Sequence, residues 1–134
     1  MTINKLILVT ILVQDLDEAL EFYEQKLGFV KKHDIPTGSE TRWLVVAPSK
    51  QNEIGIVLRK PNAINNELIT KEVDKELGRG SLWTFSTTNC KETYKDLKSR
   101  GVKFVQEPSP GDFGIEAVFQ DLYGNRFSLL EIKN

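Results

Sequence analysis

LILVTILVQDLDEALEFYEQKLGF, residues 6–29, decides the fold, because a second stretch repeats its plan: SLWTFSTTNCKETYKDLKSRGVKF, residues 81–104. In the first, Leu6 to Val13 is rich in branched side chains and reads as a buried strand. Asp15 followed three residues later by Glu18 has the spacing of a capping box and marks a helix start. Leu16, Ala19, Leu20, Tyr23 and Leu27 then fall on one apolar stripe at helical spacing. Gly28 is the expected stop, since glycine accepts the left-handed backbone that ends a helix. In the second stretch Leu82 to Ser86 predicts a short strand, and Asn89 with Glu92 repeats the cap. Cys90, Thr93, Tyr94 and Leu97 repeat the stripe, and Gly101 repeats the stop. The caps lie 74 residues apart and the glycines 73, so the chain reads as an internal duplication.

The segments after the two helices also match. FVKKHDI, ETRWLVVAP and EIGIVLRK predict three strands after Gly28; VKFVQEP, IEAVFQD and RFSLLEI predict three after Gly101. Each half is therefore βαβββ, an α+β arrangement within a single domain, residues 1–134. Module one covers 4–60 and module two 81–134, joined by a polar linker, 61–80. Part of that linker, roughly residues 67–77, has the composition of a short helix that would cover a pocket edge.

Composition narrows the function classes. With 40% hydrophobic and 28% charged residues in a chain of 134, the sequence can build a core and is not a disordered type. A formal net charge of −1 leaves no basic surplus to displace phosphate counterions, so no nucleic-acid partner is expected, nor a strongly cationic ligand. The single cysteine, Cys90, excludes an intrachain disulfide. LILVTILV has eight residues, too few to span a bilayer, and Lys5 alone is a poor basic leader. The expectation is a cytoplasmic protein with no membrane partner.

VQDLDEALEFYEQKLGF resembles the opening of the vicinal-oxygen-chelate superfamily, the glyoxalase, bleomycin-resistance and extradiol-dioxygenase proteins. GIEAVFQDLYGNRFSLLE resembles its closing strand pair, with Asp-x-x-Gly-Asn in the turn. The resemblance spans almost the whole chain. It implies two modules whose mixed sheets curve around a cavity, often in a homodimer. The superfamily includes isomerases, dioxygenases, thiol transferases that inactivate antibiotics, and proteins that only bind a drug. The first three usually need a divalent metal, held by His or Gln on the first strand of each module and by Glu or His on the last.

Carried over residue by residue, those ligand positions fall on Leu8, on Ser81 (counted from the Gly-x-Gly), on Ser128, and on Val57 with Gly55 as the fallback. Zinc, nickel, iron and manganese sites need imidazole, thiolate or carboxylate donors, and none of these side chains supplies one. The resemblance therefore implies a metal-free cavity with no cofactor, Ser128 standing where a metalloenzyme places its carboxylate.

Other residues have two readings each. His33, the one histidine, is a general base oriented by Asp34 or a solvated strand-end residue. Cys90 is a thiolate activated by the helix dipole or a buried, inert member of the stripe. Trp83 and Phe85 alternate with Ser81, forming an aromatic wall to a cavity or packing sheet against helix. On the third strand of module one either Arg42 and Leu44, or Trp43 and Val45, look inward. Arg126 shares a face with Ser128 and Arg59 with Val57; each is an anchor for a carboxylate or phosphate, or a solvated strand end. Glu116 is an inward acid or base, or a rim charge. Phe113, in PSPGDFG, gates a pocket or caps the core. There is no phosphate-cradling glycine loop, paired-cysteine motif or nucleophile elbow.

The reading that results is metal-independent binding of a small organic molecule, of the drug-sequestering or metabolite-binding type, in a homodimer. Its expected contacts are Trp83, Ser81, Phe85 and Ser128, joined by Arg126, Trp43, Glu116 and Phe113, with no catalytic residue. The rivals are a glyoxalase-like lyase or dioxygenase-like enzyme, a metal-independent acid–base enzyme using Glu116 or His33, and a regulatory protein that uses the fold as a dimer.

Overall fold

The computed structural model of the chain describes residues 2–38, 42–61 and 82–133. The chain divides into two compact units, Met1–Asp74 and Lys75–Asn134. The first contains β1 (Leu8–Leu12), α1 (Leu16–Glu21), a π-helical turn (Phe22–Lys26), β2 (Val30–Pro36), β3 (Arg42–Ala47) and β4 (Gly55–Arg59). The second contains β5 (Trp83–Ser86), α2 (Cys90–Ser99), β6 (Lys103–Pro110), β7 (Gly114–Gln120) and β8 (Arg126–Ile132). Each unit folds as βαβββ around one four-stranded sheet, in the orders β1-β4-β3-β2 and β5-β8-β7-β6. In both, the first strand pairs parallel with the last and the other pairings are antiparallel. The expected linker helix at residues 67–77, and Ser81, lie outside the described residues.

Both helix starts are capped as the spacing predicts. The Asp15 carboxylate accepts the Glu18 N–H at 2.9 Å, and the Asn89 side-chain oxygen accepts the Glu92 N–H at 3.1 Å. Each cap contributes about 1 kcal/mol. Gly28 and Gly101 stand at φ 74° and 91°, the left-handed conformation expected of the stops. The first helix departs from the expected α geometry in its second half. There the Leu27 N–H reaches the Phe22 carbonyl, a five-residue step. The apolar stripe brings Tyr23 inward but leaves out Phe22. In the structure both rings are buried and meet edge to face at 5.5 Å.

The helix of each unit covers one face of that unit's sheet. In the first sheet Ile11, Val13, Leu44, Val46, Ile56 and Leu58 are buried, together with Ala19, Phe22 and Tyr23 of the helical segment. In the second the core is aromatic. Phe127 meets Phe119 and Phe85, both at 5.4 Å, and Phe119 meets Phe104, which meets Tyr94 at 4.7 Å. Pairs of this kind contribute about 1 kcal/mol each beyond the area they bury. Burying this apolar surface is what holds helix to sheet.

The turn between β7 and β8 explains the Asp-x-x-Gly-Asn motif. The Asp121 carboxylate accepts the N–H groups of Tyr123 and Asn125, both at 2.9 Å, and the Asn125 side-chain amide at 2.8 Å. Asp121 and Asn125 are both buried, so this carboxylate builds the turn that starts β8 in register.

Candidate functional site

Strand register determines which side chains share the face turned away from each helix, because residues directly opposite in paired strands point the same way. In the second sheet Ser128 lies opposite Val118 on β7 and Thr84 on β5. Glu116, Gln120, Arg126, Leu130 and Ser86 share that face by alternation. Ser128 is fully buried, and its hydroxyl donates to the Glu116 carboxylate. Glu116 is half-buried, and the Gln106 side-chain amide donates to its backbone carbonyl at 3.2 Å. Thr84, Ser86 and Arg126 are exposed. Arg126 lies on the face of Ser128, as alternation along the strand predicts, and the register puts Glu116 on that face too.

Two of the expected wall residues lie on the other face. Trp83 pairs with Phe127 and Phe85 with Leu129, which puts both on the helix side of the sheet. Phe85 meets Phe127 and stacks on Phe119 at 6.3 Å, inside the aromatic core. The alternation along β5 is legible in the sequence, but its phase is not: Thr84, not Trp83 or Phe85, shares the face of Ser128. The helix cap carries the missing signal. Leu8 stands seven residues before Asp15, and seven residues before Asn89 is Leu82, which alternates with Thr84. Counting from the Gly-x-Gly gives its sequence neighbour Ser81 instead.

In the first sheet Thr10 lies opposite Val57, Leu8 opposite Gly55, and Val45 opposite Val57. Trp43 and Val45 therefore share this face, with His33 and Ile35 of β2 opposite them. Arg42 and Leu44 take the helix side. The Arg42 guanidinium ties β3 to β2 and α1, donating from Nε at 3.0 Å and Nη2 at 2.9 Å to Asp34 and from Nη1 to Asp17. Those bonds hold Asp34 below the ordinary carboxylate range and push Arg42 above its ordinary value. Asp34 thus serves Arg42, and the exposed His33 fits the solvated strand-end reading rather than the general-base one.

The two sheets also settle which residue of β4 corresponds to Ser128. Thr10 stands five residues before its cap and pairs with Val57; Thr84 stands five before its cap and pairs with Ser128. Val57 is the counterpart, and Gly55 is not. A Cβ at Gly55 would lie 2.7 Å from Val45 Cγ1 and 3.1 Å from Leu8 Cδ2, so neighbouring side chains already fill that place.

The described residues at these positions do not supply the donor set of a catalytic metal site. Leu8, Val57 and Leu82 offer hydrocarbon, and the Ser128 hydroxyl is engaged by Glu116. Among the described residues no group of three or more His, Cys, Asp or Glu side chains could hold a metal ion. One carboxylate beside one hydroxyl falls short of the three or four donors such a site takes. Cys90 offers no nucleophile. It is buried, its thiol points to the Leu129 carbonyl at 3.6 Å, and burial, with Glu131 adding to it, pushes its pKa up. Phe113, at the tip of the β6–β7 hairpin, is 79% exposed and does not cap the core.

The family model described as Glyoxalase/Bleomycin resistance protein/Dioxygenase superfamily matches residues 5–129. The chain belongs to this superfamily. Within it, the chain is 35% identical over 130 residues to YurT of Bacillus subtilis, an uncharacterized protein, covering 95% of this chain and 98% of that one. Among solved structures it is similar to UcmS2, at 40% identity and a TM-score of 0.84, covering 97% and 99% of the two chains. It is also similar to TnmS3, described as an antibiotic binding protein from Streptomyces sp. CB03234. That match has 28% identity, a TM-score of 0.77 and 99% coverage of both chains. A glyoxalase I from Zea mays shares the superfamily fold at 18% identity, with a TM-score of 0.72, 97% of this chain and 45% of that one. Among the described residues no helix is long and apolar enough to cross a membrane.

Proposed function

We propose that this superfamily member binds a small organic molecule without a metal, as a drug-sequestering or metabolite-binding protein working as a homodimer in the cytoplasm. One observation carries the reading. Where the metalloenzymes of the superfamily place a carboxylate, this chain has a buried serine whose hydroxyl is bonded to Glu116, and the other ligand positions are apolar. What remains on the faces turned from the helices suits an organic ligand: Trp43, Val45 and Leu8 in one sheet, Val118, Ser128 and Glu116 in the other. Arg126 lies on the same strand face as Ser128, and Phe113 is an exposed apolar ring at a hairpin tip. The similarity to TnmS3, an antibiotic binding protein, supports the same reading.

The test is metal content by inductively coupled plasma mass spectrometry, on untagged protein incubated with zinc, nickel, iron and manganese. It is paired with a thermal-shift screen of antibiotics and small metabolites. Retention of no metal together with saturable stabilisation by an organic compound is the expected result. One tightly held metal per protomer would refute the metal-free reading and bring the lyase and dioxygenase activities of the superfamily to the front.

A further inference from the structure

We propose that Glu116, held in place by the Ser128 hydroxyl, anchors the ammonium group of a ligand that carries one positive charge. The inference rests on the small-molecule reading above and names the chemistry of its ligand.

The carboxylate of Glu116 is only partly used. Among the described residues it accepts one hydrogen bond, from Ser128 Oγ, whereas a carboxylate has about four acceptor positions. Among the described residues it forms no ion pair. Arg126 is the cation of β8 on the same face, but it pairs with Gln120 while Glu116 pairs with Leu130. That puts it four residues along the strand, about 13 Å at about 3.3 Å per residue, and no ion pair joins the two.

The surroundings favour a charged partner for this group. Val118 and Leu130 stand beside it on the same face and, like Glu116, are half-buried, so a bond made there is less screened than one in open water. An ammonium brings three N–H donors. Glu116 offers a charged acceptor, which the buried Ser128 hydroxyl holds in place. The exposed Thr84 hydroxyl, directly opposite Ser128, offers a neutral one. A neutral alcohol would bring one donor and no charge. A single carboxylate matches a single ammonium, in keeping with the chain's net charge of −1 and against a polycationic ligand.

Three probes with one aromatic body test this: naphthylethylamine, naphthylethanol and naphthylacetate, titrated into the full-length protein and followed by amide NMR. The amine is expected to shift the Thr84, Glu116, Val118 and Ser128 amides and to bind about tenfold tighter than the alcohol, the difference one charge-assisted hydrogen bond makes. The acetate should bind weakest. Glu116→Gln should abolish the amine's advantage over the alcohol. Ser128→Ala keeps the carboxylate and should keep the order amine over alcohol, which separates loss of charge from loss of packing. Equal binding of amine and alcohol, or an advantage that survives Glu116→Gln, overturns the ammonium anchor and leaves the organic-ligand site standing. Binding of none of the three to the Trp43 or Ser128 face overturns the small-molecule reading and this inference with it.

Discussion

Val57 and Ser128 occupy the same place in the two sheets, each paired with the threonine that stands five residues before its helix cap, Thr10 and Thr84. The duplication has kept the backbone and varied the chemistry: a buried hydrocarbon in one copy, a buried hydroxyl held by Glu116 in the other. Restoring a carboxylate at one of these places should not restore a metal site. In Ser128→Glu the partners Leu8, Val57 and Leu82 still lack donors, so no stoichiometric zinc should be retained. The new side chain would also enter a buried place already facing Glu116. Stability should fall by about 2–4 kcal/mol near neutral pH. Mass-spectrometric metal content and urea denaturation measure the two effects; one zinc per protomer would refute the assignment of the other positions.

Phe85 and Trp43 should separate stability from binding. Phe85 is half-buried against Phe119 and Phe127, so Phe85→Ala should cost about 2–3 kcal/mol in stability, read from the denaturant midpoint, while a bound ligand's Kd changes little. Trp43→Ala, on the face turned from the helix, should weaken ligand binding about tenfold or more, with the smaller loss of stability. The opposite pattern, a weakened ligand in Phe85→Ala alone, would place the site on the helix side.

The Arg42 network should show in the acid limb of the stability curve. Arg42 holds the folded-state pKa of Asp34 below its ordinary 3.8. A depressed carboxylate contributes stability that is complete above the unfolded value and is lost as pH falls through the folded one. Arg42→Ala should therefore lower stability by about 1 kcal/mol near pH 7. The gap between variant and wild type should close as pH is lowered from about 4 downward. Thermal unfolding from pH 7 to pH 2 measures it; a gap of constant size would mean that Arg42 acts through packing alone.

Asp121 is buried with several donors gathered on it. Asp121→Ala leaves the Tyr123 and Asn125 N–H groups without this acceptor and should cost about 2–4 kcal/mol. Asp121→Asn keeps one oxygen and should cost less. Denaturant midpoints of the two variants provide the comparison, and equal losses would assign the effect to charge rather than to the turn's hydrogen bonds.

Local chemistry is what the sequence made legible. Asp15 and Asn89 cap helices because their side chains reach the third N–H on, and Gly28 and Gly101 end them; each depends on a few neighbouring residues. The two faces of β5 were legible as an alternation, but which face carried the helix was not, and Trp83 and Phe85 fell on the unexpected one. The widened turn at Phe22 was hidden because it accompanies the burial of two adjacent rings, a tertiary event. The bond from Ser128 to Glu116 joins neighbouring strands across 12 residues, and that from Arg42 to Asp17 spans 25. No spacing rule connects such partners; only the strand register does.

The parallel pairing of first strand with last bears on how the protein is made. β1 is an edge strand whose neighbour in its sheet is β4, and Leu8 meets Gly55. β5 depends in the same way on β8, with Trp83 meeting Phe127. Neither sheet can pair its first strand until its final strand has been synthesised. Closing such long loops is slow relative to local hairpins. A nascent chain stalled before Arg126 would keep the β6–β7 hairpin but leave β5 unpaired, with Trp83 and Phe85 uncovered, the species on which a chaperone or a protease would act.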